Sequence, residues 1–234
     1  MLAQGNANDR MRRMQELLAG DGVVTIDALK ALQRDTFSHA SLAAARRIVA
    51  HAAPVPSDPE AGDQRALLAV LAAWDGRYEA DSTGALAYQR VLDALIEDLY
   101  GGRYGDSLRG TLRSAPYVHA FVGEDLAGEP DPAAPAGSAT AAVRAAVATA
   151  ARGWDRERAW GDVHRLGLAH PIGNVPVLGR RWTFGDHPTA GSTTTIFKSA
   201  HPVTSEEHRT SFGANARHVS DLSDPDANWF VLVG

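Results

Sequence analysis

The sequence predicts an α+β chain, mainly helical over residues 1–152 and built of strands and loops over residues 153–234. Two observations carry this. Up to Arg152 the text is rich in Ala and Leu, with apolar residues at helical spacing and capping residues at the run boundaries. From Trp160 the pattern changes: residues 160–197 carry Gly161, Gly167, Gly173 and Gly179 with Pro171 and Pro176, then the β-branched run Thr193-Thr194-Thr195-Ile196. Gly supplies positive φ and Pro locks φ, so both fix turns, while the aromatic and β-branched residues between them suit short strands.

The helices follow in order. Residues 9–19 read as a short helix with Asn8 as N-cap and Gly20 past its end; Met11, Met14 and Leu18 share a face. Thr25 caps a second helix with Leu29, Leu32 and Gln33 on one side, and Ser38 opens a third through Leu42, Ile48 and Val49 to Pro54 and Pro56. Residues 63–74 place Leu67, Val70, Leu71 and Trp74 at i, i+3, i+4 and i+7. The widest stripe is Tyr88, Val91, Leu92, Leu95, Ile96 and Leu99, the signature of a buried face. Residues 101–117 are glycine-rich but lack a phosphate-loop pattern. Residues 123–137 are an acidic Pro/Gly/Ala loop, and Ser138 starts an Ala-rich helix that ends before Gly153. Residues 194–198, 217–222 and 229–233 are the predicted strands.

With 234 residues, 44% hydrophobic and 22% charged, the chain can hold one sizeable core or two small ones. A net charge of −5 with both signs interspersed gives no reason to expect a nucleic acid or membrane partner. The absence of Cys excludes disulfides, thiolate zinc and a Cys nucleophile. The first fifteen residues lack the apolar core of a secretion signal. The compartment is therefore periplasmic or secreted if a parent protein carries an upstream signal, and cytoplasmic otherwise.

Catalytic motifs are few. Six of nine His lie between positions 164 and 218, yet there is no HExxH, and His201 and His208 stand seven apart rather than three or four. No metal is expected. No G-x-S-x-G elbow is present, and Asp224 and Asp226 read as turn residues.

Five separated segments in order resemble the penicillin acylase family of N-terminal nucleophile hydrolases. They are Asn8-Asp9-Arg10 leading to Leu17-Leu18; L-Q-R-D-T-x-S at residues 32–38; Ala73-Trp74-Asp75-Gly76 followed by Asp81-Ser82; the W-G-x-x-H-R-L-x-L-x-H-P-I-G-N-V-P-V-L segment at residues 160–178, followed by Gly185-Asp186 and Gly191-Ser192-Thr193; and D-L-x-D-P-D at residues 221–226. The resemblance implies the C-terminal portion of a β chain with the αββα fold. It also implies cleavage of N-acyl amides of penicillin, acyl-homoserine lactone or lipopeptide type. In that family autoproteolysis exposes a Ser whose free α-amino group is the base for its own hydroxyl, and a backbone N–H and an Asn side chain stabilise the oxyanion. Neither Gly137-Ser138 nor Gly191-Ser192 resembles the family's processing site, so the nucleophile is expected on an upstream segment or chain, the expected partner beside a small amide substrate. No cofactor is expected in this chain, since the family's structural calcium is held by upstream residues.

Two residues carry over as site candidates. Arg10 matches the family Arg that orients the oxyanion Asn, a task suited to a fixed cationic fork; Arg12 and Arg13 read as ordinary surface arginines. Asp221 matches a strand that approaches the nucleophile in some relatives. His170-Pro171 reads as a turn, and Trp74 and Trp160 as packing residues. The resemblance implies that the isolated chain is inactive. A non-catalytic remnant or binding module is the other reading; an exposed apolar face around residues 229–233 would favour a partner.

Overall fold

A computed structural model describes residues 5–231, apart from 21, 54–60, 102–109, 116, 131–135, 137, 170, 171, 173, 174, 176–178, 204–206, 211, 215, 216 and 225. The expected Pro54/Pro56 stop, the His170-Pro171 turn and the end of the last strand lie outside the described residues, as does most of the glycine-rich segment.

The fold is α+β, with helices leading and strands following. The helices are α1 (Gly5–Leu18), α2 (Ile26–Gln33), α3 (His39–Ala52), α4 (Gly62–Ala73), α5 (Thr83–Ile96), α6 (Val118–Asp125), α7 (Ala139–Ala151) and the single turn α8 (Trp160–Val163). Three of the four predicted caps form: the hydroxyls of Thr25, Ser38 and Ser138 accept from the N–H of Ala28, Ser41 and Ala141 at 3.1, 3.2 and 3.2 Å; Asn8, expected as the first cap, lies inside α1, which begins at Gly5. The predicted stripe on α5 is the centre of the core, with Tyr88, Val91, Leu92, Leu95 and Ile96 fully buried. Packed on it are α4 through Leu67 and Leu71 and α7 through Val143, Ala146 and Val147; α3 contributes Ala44, Ala45 and Ile48. The core also takes in Trp160, Val163 and Val203, so the helical part and the C-terminal third share one interior.

Strands β1 (His164–Ala169), β2 (Thr183–Pro188) and β4 (His208–Arg209) form one sheet in the order β2-β1-β4, β1 running antiparallel to β2 and parallel to β4. Strands β3 (Ser199–Ala200) and β5 (Phe212–Gly213) pair separately, and β6 (Arg217–Ser220) and β7 (Asn228–Val231) make an antiparallel hairpin.

Two expectations are corrected. The strand expected at residues 194–198 is a run of turns and bends that ends in a bridge at Lys198. The Thr195 hydroxyl accepts from the Ser192 N–H at 2.9 Å and donates to the Phe197 carbonyl at 2.6 Å. A short side chain thus takes backbone partners that a ladder would need. Gly191, at φ 82°, lets the chain fold back: a Cβ there would lie 2.1 Å from the Phe197 oxygen. The second correction concerns α1. Met11, Met14 and Leu18 do share a face, but it points outward, with Met11 51% and Leu18 45% exposed. The buried face of α1 is polar.

Candidate active site

Asp9, Arg13 and Glu16 recur at i, i+4 and i+7 and lie on one side of α1, with Asp9 buried, Arg13 half-buried and Glu16 exposed. Asp9 is buried; its carboxylate accepts from the Ser38 hydroxyl at 3.1 Å and the Ala40 N–H at 3.0 Å, adding a second cap to the start of α3. Burial raises its pKa, against the opposing pull of these two hydrogen bonds and of the nearby His39 and Arg12. Arg13 grips Asp35 with both prongs, Nε–Oδ1 at 3.0 Å and Nη2–Oδ2 at 2.9 Å, and lies over the Phe37 ring at 4.8 Å. Arg77 reaches the same carboxylate at 3.4 Å. Arg13 is therefore a half-buried tie, and the reading of it as a surface arginine is corrected; its spacing with Asp9 and Glu16 was the available signal. Glu16 closes the row by pairing with His39 at 2.8 Å.

Four of the five segments that carried the resemblance meet here; the described residues of 221–226 do not. Asp35 to Ser38 runs beside Gly76 to Tyr78, through a Phe37–Arg77 bridge and the bonds Ser38 N–H to Gly76 O and Tyr78 N–H to Thr36 O, both 3.0 Å. Tyr78 O receives Gly191 N–H at 2.7 Å, and Asp35 O receives Phe197 N–H at 2.8 Å. Trp160, fully buried, donates its indole N–H to Gly191 O at 3.0 Å and stacks on His164 at 4.5 Å.

Around Trp160 the histidines form a packed group. His164 donates from Nδ1 to the Thr189 carbonyl at 3.0 Å; His201 and His208 face each other Nδ1 to Nδ1 at 3.0 Å; Ser192 lies 3.3 Å from His201 Nε2. Burial lowers the pKa of His164 well below its ordinary value and that of His201 to about 4. Among the described residues no group of three or more His, Cys, Asp or Glu is arranged to hold a metal ion. No helix among them is long and apolar enough to cross a membrane.

Arg10 follows the anchored Asp9 and points away from it. With Met11, Met14 and Ile196 it lines a cleft of about 360 Å³. Among the described residues its guanidinium has no hydrogen-bond or ion-pair partner, in contrast to Arg12 and Arg13. Lys198, half-buried, lies near enough for the Arg10 charge to add to the burial that lowers its pKa. The cleft thus has an apolar floor and a cationic rim, fit for a carbonyl oxygen, an amide or an anion.

Asp221 is not among the residues lining this cleft. It opens the β6–β7 turn, where its carboxylate accepts from the Ser223 N–H at 2.9 Å and hydroxyl at 2.6 Å, and these bonds lower its pKa. The two candidates are not brought together.

A profile of the penicillin amidase family matches residues 2–234. No curated protein matches the chain.

Proposed function

Because the chain belongs to the penicillin amidase family, whose members hydrolyse amides, we propose that it is the Arg10-bearing part of an N-acyl amidohydrolase. Its nucleophile, an N-terminal Ser, comes from a partner segment or chain. The observation that supports this reading is a cation, Arg10, with no partner among the described residues, at the head of an outward apolar face. Arg10 begins the face, and Met11, Met14, Leu17 and Leu18 continue it along α1. Val24, just before α2, and Leu29 on α2 are also exposed; α2 packs on β6, and Phe230 of the hairpin is 63% exposed. An apolar helix face turned outward, as on α1, suits a docking role. A guanidinium beside it would meet the incoming segment with all its donors available.

In this reading the partner's Ser hydroxyl loses its proton to its own α-amino group and attacks the amide carbonyl carbon. An Asn of the partner stabilises the oxyanion, with Arg10 holding that Asn in place. The amine leaves with the proton, and water then releases the acid from the acyl-enzyme. Acyl side chains of penicillins, acyl-homoserine lactones and lipopeptides are the substrate types to assay first.

The test is to assay hydrolysis of a chromogenic N-acyl amide by the chain alone and after recovery with its partner from the source. The chain alone should be inactive and the complex active. Arg10→Lys in the complex should lower kcat roughly 10- to 100-fold, in line with loss of one aligned oxyanion contact, with KM nearly unchanged. Amide hydrolysis by the chain alone would end the partner reading. A complex that is inactive on every acyl amide would leave a binding module in its place.

A further inference from the structure

A second cleft, of about 450 Å³, shares no lining residue with the Arg10 cleft. Its charged lining is Arg90, Arg158, Asp162, Arg165, Asp186 and Glu207. Three cations face three carboxylates, but their engagement differs. Asp186 is held by Arg165 at 3.4 Å and Arg209 at 3.2 Å, and Glu207 by Arg209 at 2.9 Å. Asp162 accepts the Ala159 N–H at 2.8 Å at the start of α8. Arg165 spends its remaining donors on the carbonyls of Gly161 at 3.1 Å and Asp186 at 2.7 Å.

Arg90 and Arg158 are left. Arg90, half-buried, lies on the carbonyls that end α7: Nε and Nη2 reach Ala150 O at 3.2 and 3.1 Å, and Nη2 reaches Arg152 O at 3.1 Å. These bonds fix the plane of the guanidinium, while Nη1 has no partner among the described residues. The exposed Arg158 side chain has none among them either. We propose that Arg90 and Arg158 form a binding site for a small oxyanion, a carboxylate or a phosphate group. The Nη1 of a guanidinium held in this way offers an oxyanion an oriented, charge-assisted N–H donor, and partial burial strengthens the pairing relative to open solvent. Burial first and the Arg158 charge second lower the pKa of Arg90, so the two cations oppose each other across space that an anion would neutralise. The carboxylate of Asp162 is held by a backbone N–H, and those of Asp186 and Glu207 by Arg165 and Arg209.

The test is calorimetric titration of the 234-residue chain with sodium phosphate and, separately, sodium acetate at matched ionic strength, with chloride as the control. Saturable binding is expected at millimolar concentration, weakened roughly tenfold in Arg158→Gln, whose exposed side chain contributes nothing to folding. Arg90→Lys, which keeps the charge and loses the oriented Nη1 donor, should weaken it as well. Binding of acetate alone identifies a carboxylate site, and of phosphate alone a phosphate site. Absence of saturation with both anions, or equal binding by the wild type and Arg158→Gln, overturns the proposal.

Discussion

Lowering the pH from 7 to 5 should destabilise this chain severely, and the buried imidazoles set how much. His119, packed against Tyr88 with its Nδ1 2.9 Å from the tyrosine hydroxyl, has its pKa lowered to about 3 by burial and, secondarily, by His201. His201 is lowered to about 4 by burial, and His164 shifts in the same direction. All three folded pKa values lie below the unfolded value near 6.5, so below that pH the unfolded chain binds more protons and gains stability relative to the native state. The contribution is therefore fully present above about pH 6.5, is lost as pH falls, and stops falling once pH passes below the folded pKa. At pH 5 an unfolded His is almost wholly protonated and these are almost wholly neutral, a difference of about 2 kcal/mol each and ~4 kcal/mol for His119 and His201 together. His164 adds to it. Asp9 works the other way, since its raised carboxyl pKa favours the native state on acidification, but it is one group against three. Against a typical domain stability of ~5–15 kcal/mol the histidine loss is large. Urea unfolding at pH 7, 6 and 5 measures it. The double variant His119→Gln/His201→Gln should show a much flatter pH dependence, whatever its stability at pH 7. A wild-type loss under about 1 kcal/mol, or an unchanged slope in the double variant, would refute the argument from buried neutral imidazoles.

Two further substitutions probe the frame. Asp35→Ala removes the carboxylate held by Arg13 and Arg77 and leaves the 16%-exposed Arg13 side chain without its bidentate partner; a loss of about 3 kcal/mol is expected in denaturant unfolding, as for a buried pair broken on one side. Gly84→Ala sets two effects against each other: Ala favours helix by ~1 kcal/mol, but its Cβ would lie 2.5 Å from Trp74 Cδ1 and 2.6 Å from Cγ. Overpacking at ~1–3 kcal/mol should win, seen as a lower melting temperature with shifted tryptophan fluorescence.

Arg10 could be named from the sequence because it sits in a local string, Asn8-Asp9-Arg10, that keeps its order without its neighbours in space. That it has no partner among the described residues while Arg13 is clamped could not. The difference depends on Asp35 and Phe37, more than twenty residues away, and on which face of α1 is turned inward. The histidine cluster was visible only as a crowd of six in the C-terminal third; the packing of three of them around Trp160 depends on contacts spanning up to 48 positions. The Arg90–Arg158 cleft left no trace in the sequence, since its lining is drawn from α5, the approach to α8, β1, β2 and the edge of β4.

What the sequence determined alone was whatever a few adjacent residues decide: the helix starts at Thr25, Ser38 and Ser138, the apolar stripe of α5, and the change at Trp160 from helix to turns and strands. Caps and periodicity act over three or four residues, so they are written locally. The tertiary structure decided the rest. It turned the apolar face of α1 outward, because Asp9 and Arg13 found the buried Ser38 and Asp35 between α2 and α3, with Glu16 pairing the half-buried His39. It also unmade the strand at residues 194–198, because Thr195 and Gly191 bind the chain back on itself. Both outcomes rest on partners distant in sequence or on a fold-back that propensity does not register, and burial of a paired polar face can outweigh exposure of a few methionines and leucines.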